Sequence, residues 1–341
     1  MRHRNNWLLA ATSGPSPGWP RATYHDDASS GRAMAEQSIA GRRVGLIGLG
    51  AMGSGMAGSL RRRGADVSVC DAREGVAAAF AAHGGTACTT PAELAARCEV
   101  VVSVVVNAAQ TEAVLFGSGE PDGGGAAAAM KPGSVFVMCS TVDPNVSIAF
   151  ERRLEAMGLH YVDAPISGGA ARAASAEMTV MGAAREAAWA IAEPFLHAMA
   201  AKVYRLGERA GNGSKVKIIN QLLAGVHIAA AAEAMALGLR EGVDAAALYD
   251  VITHSAGNSW MFENRMAHVL SGDYTPLSAV DIFVKDLGLV LDTARASKFP
   301  LPLASTAHQM FMQASTAGFA KEDDAAVIKI FPGIELPGRK T

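Results

Sequence analysis

The stretch VGLIGLGAMGSGMAGSLRRRGADVSVCD, residues 44–71, constrains the fold more than any other part of the chain. Gly48, Gly50 and Gly53 stand at G-x-G-x-x-G spacing, directly after an apolar run and at the head of a helical pattern. Each glycine has a separate task there: a tight turn, close backbone approach to a pyrophosphate, and close helix–sheet contact, with the phosphates at the helix N-terminus. Leu49, Ala51 and Met52 complete the turn, so residues 48–53 form the candidate phosphate cradle. Asp71 closes the next strand about twenty residues on, where a carboxylate accepts hydrogen bonds from ribose hydroxyls. Its charge repels a 2′-phosphate, so NAD is expected over NADP. Arg73, two residues later, is read as a solvated surface cation.

Beyond this turn, short β-branched runs alternate with Ala-rich stretches of helical length, the pattern of parallel strands joined by crossover helices. Strands are expected at 43–47, 66–70, 100–106, 134–138, 160–162, 178–181 and 202–204, giving an α/β fold with a doubly wound sheet. The 341 residues suffice for two domains at roughly 100–200 residues each. Ligands of such sheets sit beyond the carboxyl ends of the strands. Asn107 and Ser140–Thr141 follow two of these strands and are candidates for the nicotinamide ribose, although Asn107 also reads as a helix cap. In DAPISGGAARA, residues 163–173, Ser167 offers a hydroxyl. Gly168 and Gly169 let consecutive backbone N–H groups turn toward one point, a concavity suited to a carboxylate; a plain Gly-Gly turn reads equally well. Asp163 and Pro165 are read as structural.

The segment from Gly211 to Gly242 reads as one long helix. Val216, Ile219, Leu223 and Val226 form an apolar stripe, with Ile218, Leu222 and Gly225 beside it, so a largely buried rod is expected. Lys217, Asn220 and Gln221 stand at i, i+3, i+4 and share one face. Desolvation lowers a lysine pKa by as much as ~3–5 units at full burial. A lysine tuned toward neutrality exchanges a proton with a hydroxyl group, whereas from spacing alone a snorkelling surface lysine fits equally well.

Composition narrows the partners. Charged residues make up 18% and the formal net charge is −2, which argues against nucleic acid or a polybasic membrane surface. The hydrophobic fraction of 50% is inflated by alanine, and no run of about 20 apolar residues is expected to span a bilayer. The cysteines at 70, 88, 98 and 139 lack metal-ligand or disulfide-framework spacing, so no metal is expected and a reducing cytoplasm fits. Residues 1–40, rich in Gly, Pro, Ser and Arg, read as a disordered extension. Its apolar stretch Trp7–Ala11 is too short for a signal-peptide core. The Arg content leaves a transit peptide open, and Met34 is the expected start. Residues 333–341 read as a tail.

GLGAMG, CSTVDP, DAPISGG and GNGSKVKIINQ occur in this order and together resemble the β-hydroxyacid dehydrogenases, the family of 3-hydroxyisobutyrate dehydrogenase, from residue 42 to about 331. The resemblance implies an N-terminal Rossmann domain over 41–207, and an all-α C-terminal domain over 208–332 opened by a long interdomain helix. It also implies a homodimer or homotetramer acting on a small hydroxy acid. By motif position it implies Lys217 as the catalytic lysine, Ser167, Gly168 and Gly169 as the carboxylate loop, and Thr141 as a contact to cofactor and substrate. FVKDLGLVLDTA resembles the family's C-terminal motif, which implies Lys285 at the cofactor and Asp286 beside the substrate. Two departures stand out. Gln221 replaces an asparagine that orients substrate in many members, with Asn220 beside it, and either amide can take that role. Ser278 stands where some members carry an aromatic side chain; a hydroxyl there suits a polyhydroxylated acid, because an unmatched buried hydroxyl is costly.

Four longer stretches, VVVNAAQTEAVLFG, INQLLAGVHIAAAAEAMAL, AGNSWMFENR and YTPLSAVDIFVKDLGLVLDTA, resemble the branch of this family that acts on a four-carbon sugar acid. That resemblance implies NAD-linked oxidation of the 2-hydroxyl to a 2-keto acid. Members acting on 3-hydroxyisobutyrate, tartronate semialdehyde or glyoxylate are the alternatives. Imine reductases share the architecture but are expected to lack a lysine at position 217. A nucleotide-sensing module without turnover is the reading from another class, and Lys217 with the Ser167 loop argues against it. His254, Asn258, Trp260 and Asn264 are candidates for the far side of the pocket, with core packing the expected role of His254 and Trp260.

Overall fold

The computed structural model describes residues 38–117 and 124–338. The expectations for residues 1–37 and for 339–341 lie outside the described residues. Strands β1 (Arg43–Ile47), β2 (Asp66–Cys70), β3 (Thr86–Ala87), β4 (Val100–Ser103), β5 (Val135–Met138) and β6 (His160–Asp163) form one parallel sheet in the order β3-β2-β1-β4-β5-β6. β4 and β5 are buried along their whole length, as parallel strands covered on both faces must be. The order reverses between β1 and β4, so the ligand crevice of this doubly wound sheet opens at their carboxyl ends.

The last two expected strands lie outside this sheet. β7 (Ile166–Ser167) pairs antiparallel with β8 (Met178–Gly182), which pairs parallel with β9 (Ala200–Arg205) in a second, three-stranded sheet. β7 follows β6 after only two residues, too short a link for the crossover that parallel pairing requires, so the chain turns away and starts a new sheet. The run expected over 100–106 stops at Ser103. Val104 N–H makes the last ladder bond, to Ile47 O, and the next residues turn into the crevice.

The helix Asn212–Arg240 carries 29 residues, about 43 Å at 1.5 Å per residue. Its start is fixed by Asp163. The Oδ2 of this fully buried carboxylate accepts from Gly211 N–H at 2.8 Å and Ser214 N–H at 3.0 Å, and Oδ1 accepts from Ser214 Oγ at 2.7 Å. An anion placed here also meets the positive end of the helix dipole. A Cβ on Gly213 would lie 2.3 Å from Met181 O, so only glycine lets the first turn seat against the strand ends. Helices Trp260–Ser271, Val280–Ala296 and Pro302–Ala314 and the 3₁₀ turn Asp324–Ile330 pack against the long helix around a second core that includes Ile228, Met235, Phe283 and Phe311. A Cβ on Gly225 would lie 2.9 Å from Leu287 side-chain atoms, which marks a close helix crossing.

The burial of this helix differs from the expectation. Val216, Ile219 and Leu223 face outward, with Ile219 60% and Leu223 51% exposed. The inward face carries Ile218, Ala224, Gly225 and Ile228 together with Lys217 and Gln221. The neighbouring helices approach on the small-residue side, where backbones can come close. The expectation that nothing could span a bilayer is also corrected: by length and composition this helix is apolar enough, with a mean hydropathy of 1.7 over its best window. Among the described residues, its inner face is nonetheless occupied by protein.

Asp163→Ala leaves two backbone donors and a hydroxyl unpaired in a buried site, at about 1–3 kcal/mol each. Urea unfolding is expected to show a loss of about 3–5 kcal/mol, and a loss below about 1 kcal/mol would remove Asp163 as the helix anchor.

Candidate active site

The phosphate turn is shaped by two glycines and opened by a third. Gly48 has φ +95°, and a Cβ there would lie 2.6 Å from Val104 O; one on Gly53 would lie 1.8 Å from Gly48 O. A Cβ on Gly50 would meet nothing within 4 Å, because it would project into the crevice. The helix Gly53–Arg62 begins here with no side-chain cap, which leaves its first amides for a ligand. Leu49 is buried, and its N–H is held by Asp71 Oδ2 at 2.7 Å.

Asp71 also accepts from Arg73 N–H at 2.9 Å, Nε at 2.9 Å and Nη2 at 3.0 Å. These bonds hold its carboxyl down to about 2. Arg73 is at the surface as expected, its side chain 62% exposed, but the bend after β2 also folds it back onto Asp71, and Nη2 donates to Leu49 O at 3.1 Å. Around this pair lies a cavity of about 590 Å³, lined by Gly48, Gly50, Asp71, Arg73, Thr90 and Gln110 among others. A second cavity of about 350 Å³ shares Gly50 and Val104–Val106 with it and reaches Lys217. The two cavities meet at Gly50 and Val104–Val106, so one trough runs from Asp71 past the glycine turn to Lys217.

Most of the candidate residues meet in that second cavity: Gly50, Ala51, Met52, Gly53, Thr141, Ser167, Gly168, Gly169, Lys217, Asn220, Gln221, Ser278, Lys285 and Asp286. Gly168 and Gly169 have φ +140° and +78°, backbone conformations that L side chains rarely adopt and that glycine allows. The helix Gly169–Ala174 that follows is locked to the phosphate helix. A Cβ on Gly55 would lie 2.6 Å from Ala174 N, and Ser59 Oγ donates to Ala173 O at 3.2 Å. Ser140 Oγ donates to Val105 O at 2.8 Å and pairs with Thr111 Oγ1 at 3.0 Å, which fixes the loop presenting Thr141.

Lys217 is 7% exposed. Its Nζ donates to Gln221 Oε1 at 2.7 Å, which also accepts from Asn220 Nδ2 at 3.0 Å. Gln221 Nε2 donates to Asp286 Oδ2 at 2.6 Å. Burial pushes the Lys217 amine from 10.5 down to about 8; Asp286 pulls it up and Lys285 presses it further down. Lys285 Nζ lies 2.5 Å from Asp286 Oδ1 and donates to Thr141 O at 3.4 Å. Asp286 is buried, so this ion pair is shielded from bulk solvent on the carboxylate side.

Asn107 stands apart. Its Oδ1 accepts from Gln110 N–H at 2.9 Å and caps the helix Ala108–Phe116, and it lines neither cavity. The core roles expected for Trp260 and His254 are corrected as well. Trp260 opens its helix at the mouth of the second cavity, 45% exposed, with the Arg172 guanidinium 5.5 Å from its ring. The His254 side chain is 78% exposed and bonds the backbone of Asp250. Asn258 braces its own loop through Thr253 O and Glu263. Asn264 does line the cavity, next to Arg265. Sequence reasoning missed Arg265; its signal is a cation on the buried stripe Phe262, Met266, Val269 of that helix.

Two family models and several known proteins match the described chain. Residues 43–207 match the family described as NAD binding domain of 6-phosphogluconate dehydrogenase. Residues 211–331 match NAD-binding of NADP-dependent 3-hydroxyisobutyrate dehydrogenase. An L-threonate dehydrogenase of Cupriavidus necator is 67% identical over 87% of this chain and 99% of its own length. One from Escherichia coli strain K12 is 52% identical over 87% and 97%. A crystal structure named 3-hydroxyisobutyrate dehydrogenase, from Salmonella typhimurium, superposes with TM-score 0.80 at 54% identity, covering 85% of this chain and all of that one.

The Cβ of Gly50→Val would meet no protein atom within 4 Å, so the fold is expected to survive while dinucleotide affinity falls by more than about ten-fold, or 1.4 kcal/mol. Calorimetric titration checks this; undiminished affinity would move the phosphates away from Gly50.

Proposed function

The chain belongs to the β-hydroxyacid dehydrogenases, the family of 3-hydroxyisobutyrate dehydrogenase, and from that premise we propose that its reaction is NAD-dependent oxidation of L-threonate at the 2-hydroxyl to 2-dehydro-L-erythronate. It is an NAD(P)-linked oxidoreductase acting on CH–OH. The observation that carries the mechanism is a buried lysine amine, with a pKa brought down to about 8, in the same cavity as the phosphate turn and the Ser167–Gly169 loop.

The Ser167 hydroxyl and the Gly168 and Gly169 amides hold the substrate carboxylate. Lys217, neutral in a useful fraction near its pKa, takes the hydroxyl proton. Gln221 Oε1 engages one N–H of Lys217 and thereby orients the amine, while Asn220 and Asp286 hold Gln221. Bound NAD supplies the hydride acceptor. Lys285 and Thr141 face the nicotinamide end, and Asp71 faces the adenosine ribose. Holding the reacting groups in register supplies much of the rate. NAD is preferred to NADP because Arg73 is already engaged by Asp71 and Leu49 O, so a 2′-phosphate would have to break that pair beside a carboxylate.

A homo-oligomer is part of the same proposal, as a dimer or tetramer. Val216, Ile219 and Leu223 form an outward apolar stripe on the long helix, continued by Leu237 at 62% exposure, and a second copy covers such a stripe most simply. A cytoplasmic location is proposed from the four free, buried thiols.

The substrate branch rests on the L-threonate dehydrogenases named above, and the crystal structure named for 3-hydroxyisobutyrate supplies the competing reading. Steady-state kinetics with L-threonate, 3-hydroxyisobutyrate, glycerate and glycolate, the last two being the alcohols formed from tartronate semialdehyde and glyoxylate, using NAD and NADP in parallel, decides between them. L-Threonate with NAD is expected to give the highest kcat/KM, and a higher value for 3-hydroxyisobutyrate would overturn this substrate. Oxidation requires the neutral amine, so its kcat/KM is expected to rise as pH climbs through about 8. Keto-acid reduction requires the ammonium and is expected to fall over the same range. Lys217→Ala is expected to lower turnover by about 10²–10⁴-fold and to abolish that limb; near-normal turnover would remove the lysine from the mechanism.

A further inference from the structure

The wall of the second cavity contributed by the C-terminal helices contains a charged network that the proton transfer does not use. Arg265 is buried, and its guanidinium is gripped by Asp324, Nε by Oδ1 and Nη2 by Oδ2 at 3.0 Å. Nη1 donates to Asn264 Oδ1. Asp324 is fully buried and also receives a hydrogen bond from the Ser278 side chain. The loop carrying Ser278 is clamped to the same turn: Asp324 N–H donates to Ser278 O at 2.7 Å and Leu277 N–H to Asp323 Oδ2 at 3.0 Å. Asn264, Arg265 and Ser278 all line the cavity that holds Lys217.

The donor and acceptor inventory of this wall is fixed by its partners. Guanidinium has no acceptor, so Asn264 must present its oxygen to Arg265, and the group it keeps for the cavity is its NH₂. The Ser278 hydroxyl gives its proton to a carboxylate, and what it keeps are lone pairs. Three of the five Arg265 N–H donors are engaged, and two remain. The wall therefore offers an acceptor between fixed donors. An alcohol, which both donates and accepts, satisfies it; a methyl group does not. Stability alone does not account for the network, since well-packed apolar residues in place of a buried ion pair are often neutral or stabilising.

We propose that Ser278, Asn264 and Arg265, held by Asp324, form a subsite for the substrate hydroxyls beyond the reacting carbon and select polyhydroxylated acids against their deoxy or methyl-branched counterparts. This rests on the hydroxyacid oxidation proposed above and adds the residues that read the tail of the acid. A deoxy substrate brings no partner to the Ser278 acceptor or the Arg265 donors, the loss on which hydrogen-bonding sites base their discrimination.

The test compares wild type, Ser278→Ala and Ser278→Thr on L-threonate and on 2-hydroxybutyrate, which lacks both distal hydroxyls, by the ratio of the two kcat/KM values. The ratio is expected to drop by about ten-fold or more in Ser278→Ala and to be kept in Ser278→Thr, where the hydroxyl remains. A ratio in Ser278→Ala equal to that of wild type, with L-threonate still preferred, overturns the subsite and leaves the substrate assignment standing. A wild type that prefers 2-hydroxybutyrate overturns both. If the wild type instead favours another polyhydroxy acid, the substrate assignment fails alone, and the same ratio read on that acid and its deoxy analogue supports or overturns the subsite.

Discussion

Removal of the Lys217 amine from water is the constraint on which the site depends. The two charges nearest in effect, Asp286 and Lys285, act on it in opposite directions, so desolvation decides the outcome and brings the amine to about 8. An exposed lysine would stay protonated at neutral pH and could not accept a proton. The amine keeps one fixed partner, Gln221 Oε1. Gln221 is in turn held by Asp286 across the helix crossing at Gly225, where the absence of a side chain lets the two helices approach.

That amine is useful only if it is delivered to the end of a dinucleotide trough, and two devices do this. Asp163 closes β6 and binds the first turn of the long helix through three donors, so the strand end sets the position of Lys217 one turn further on. Gly55 lets the phosphate helix contact the backbone of the helix that follows Gly168, which ties the phosphate turn to the candidate carboxylate loop. The proposed cofactor floor, acid anchor and proton acceptor thus stand on mutually braced elements, the condition for holding reactants in a near-attack arrangement.

Much of this is legible in the residues. The parallel strands, the glycine turn with Asp71, and the i, i+3, i+4 polar notch of the long helix each rest on local spacing, and local spacing survives folding. What was not legible depends on partners distant in sequence. The stripe Val216, Ile219, Leu223 is more apolar than the face that is buried, so hydrophobicity alone suggested a rod buried on both sides; the neighbouring helices in fact approach only on the side of Ala224 and Gly225. β7 is two residues long and lies within a loop-like sequence, so nothing set β8 and β9, expected as strands at 178–181 and 202–204, apart from the main sheet. The folded-back Arg73 and the pairing of Arg265 with Asp324, 59 residues apart, leave no periodic trace. Motif position brought together Ser278, Lys285 and Asp286, which spacing alone would have scattered over the surface.

The buried amine itself can be observed. Nitrogen-15 NMR of lysine side chains, with the Lys217 resonance assigned by its loss in Lys217→Arg, gives its titration directly in the folded enzyme. The account requires a midpoint near 8. A midpoint at the ordinary lysine value of about 10.4 would mean that the amine is solvated, and the proton-transfer role built on its burial would be contradicted.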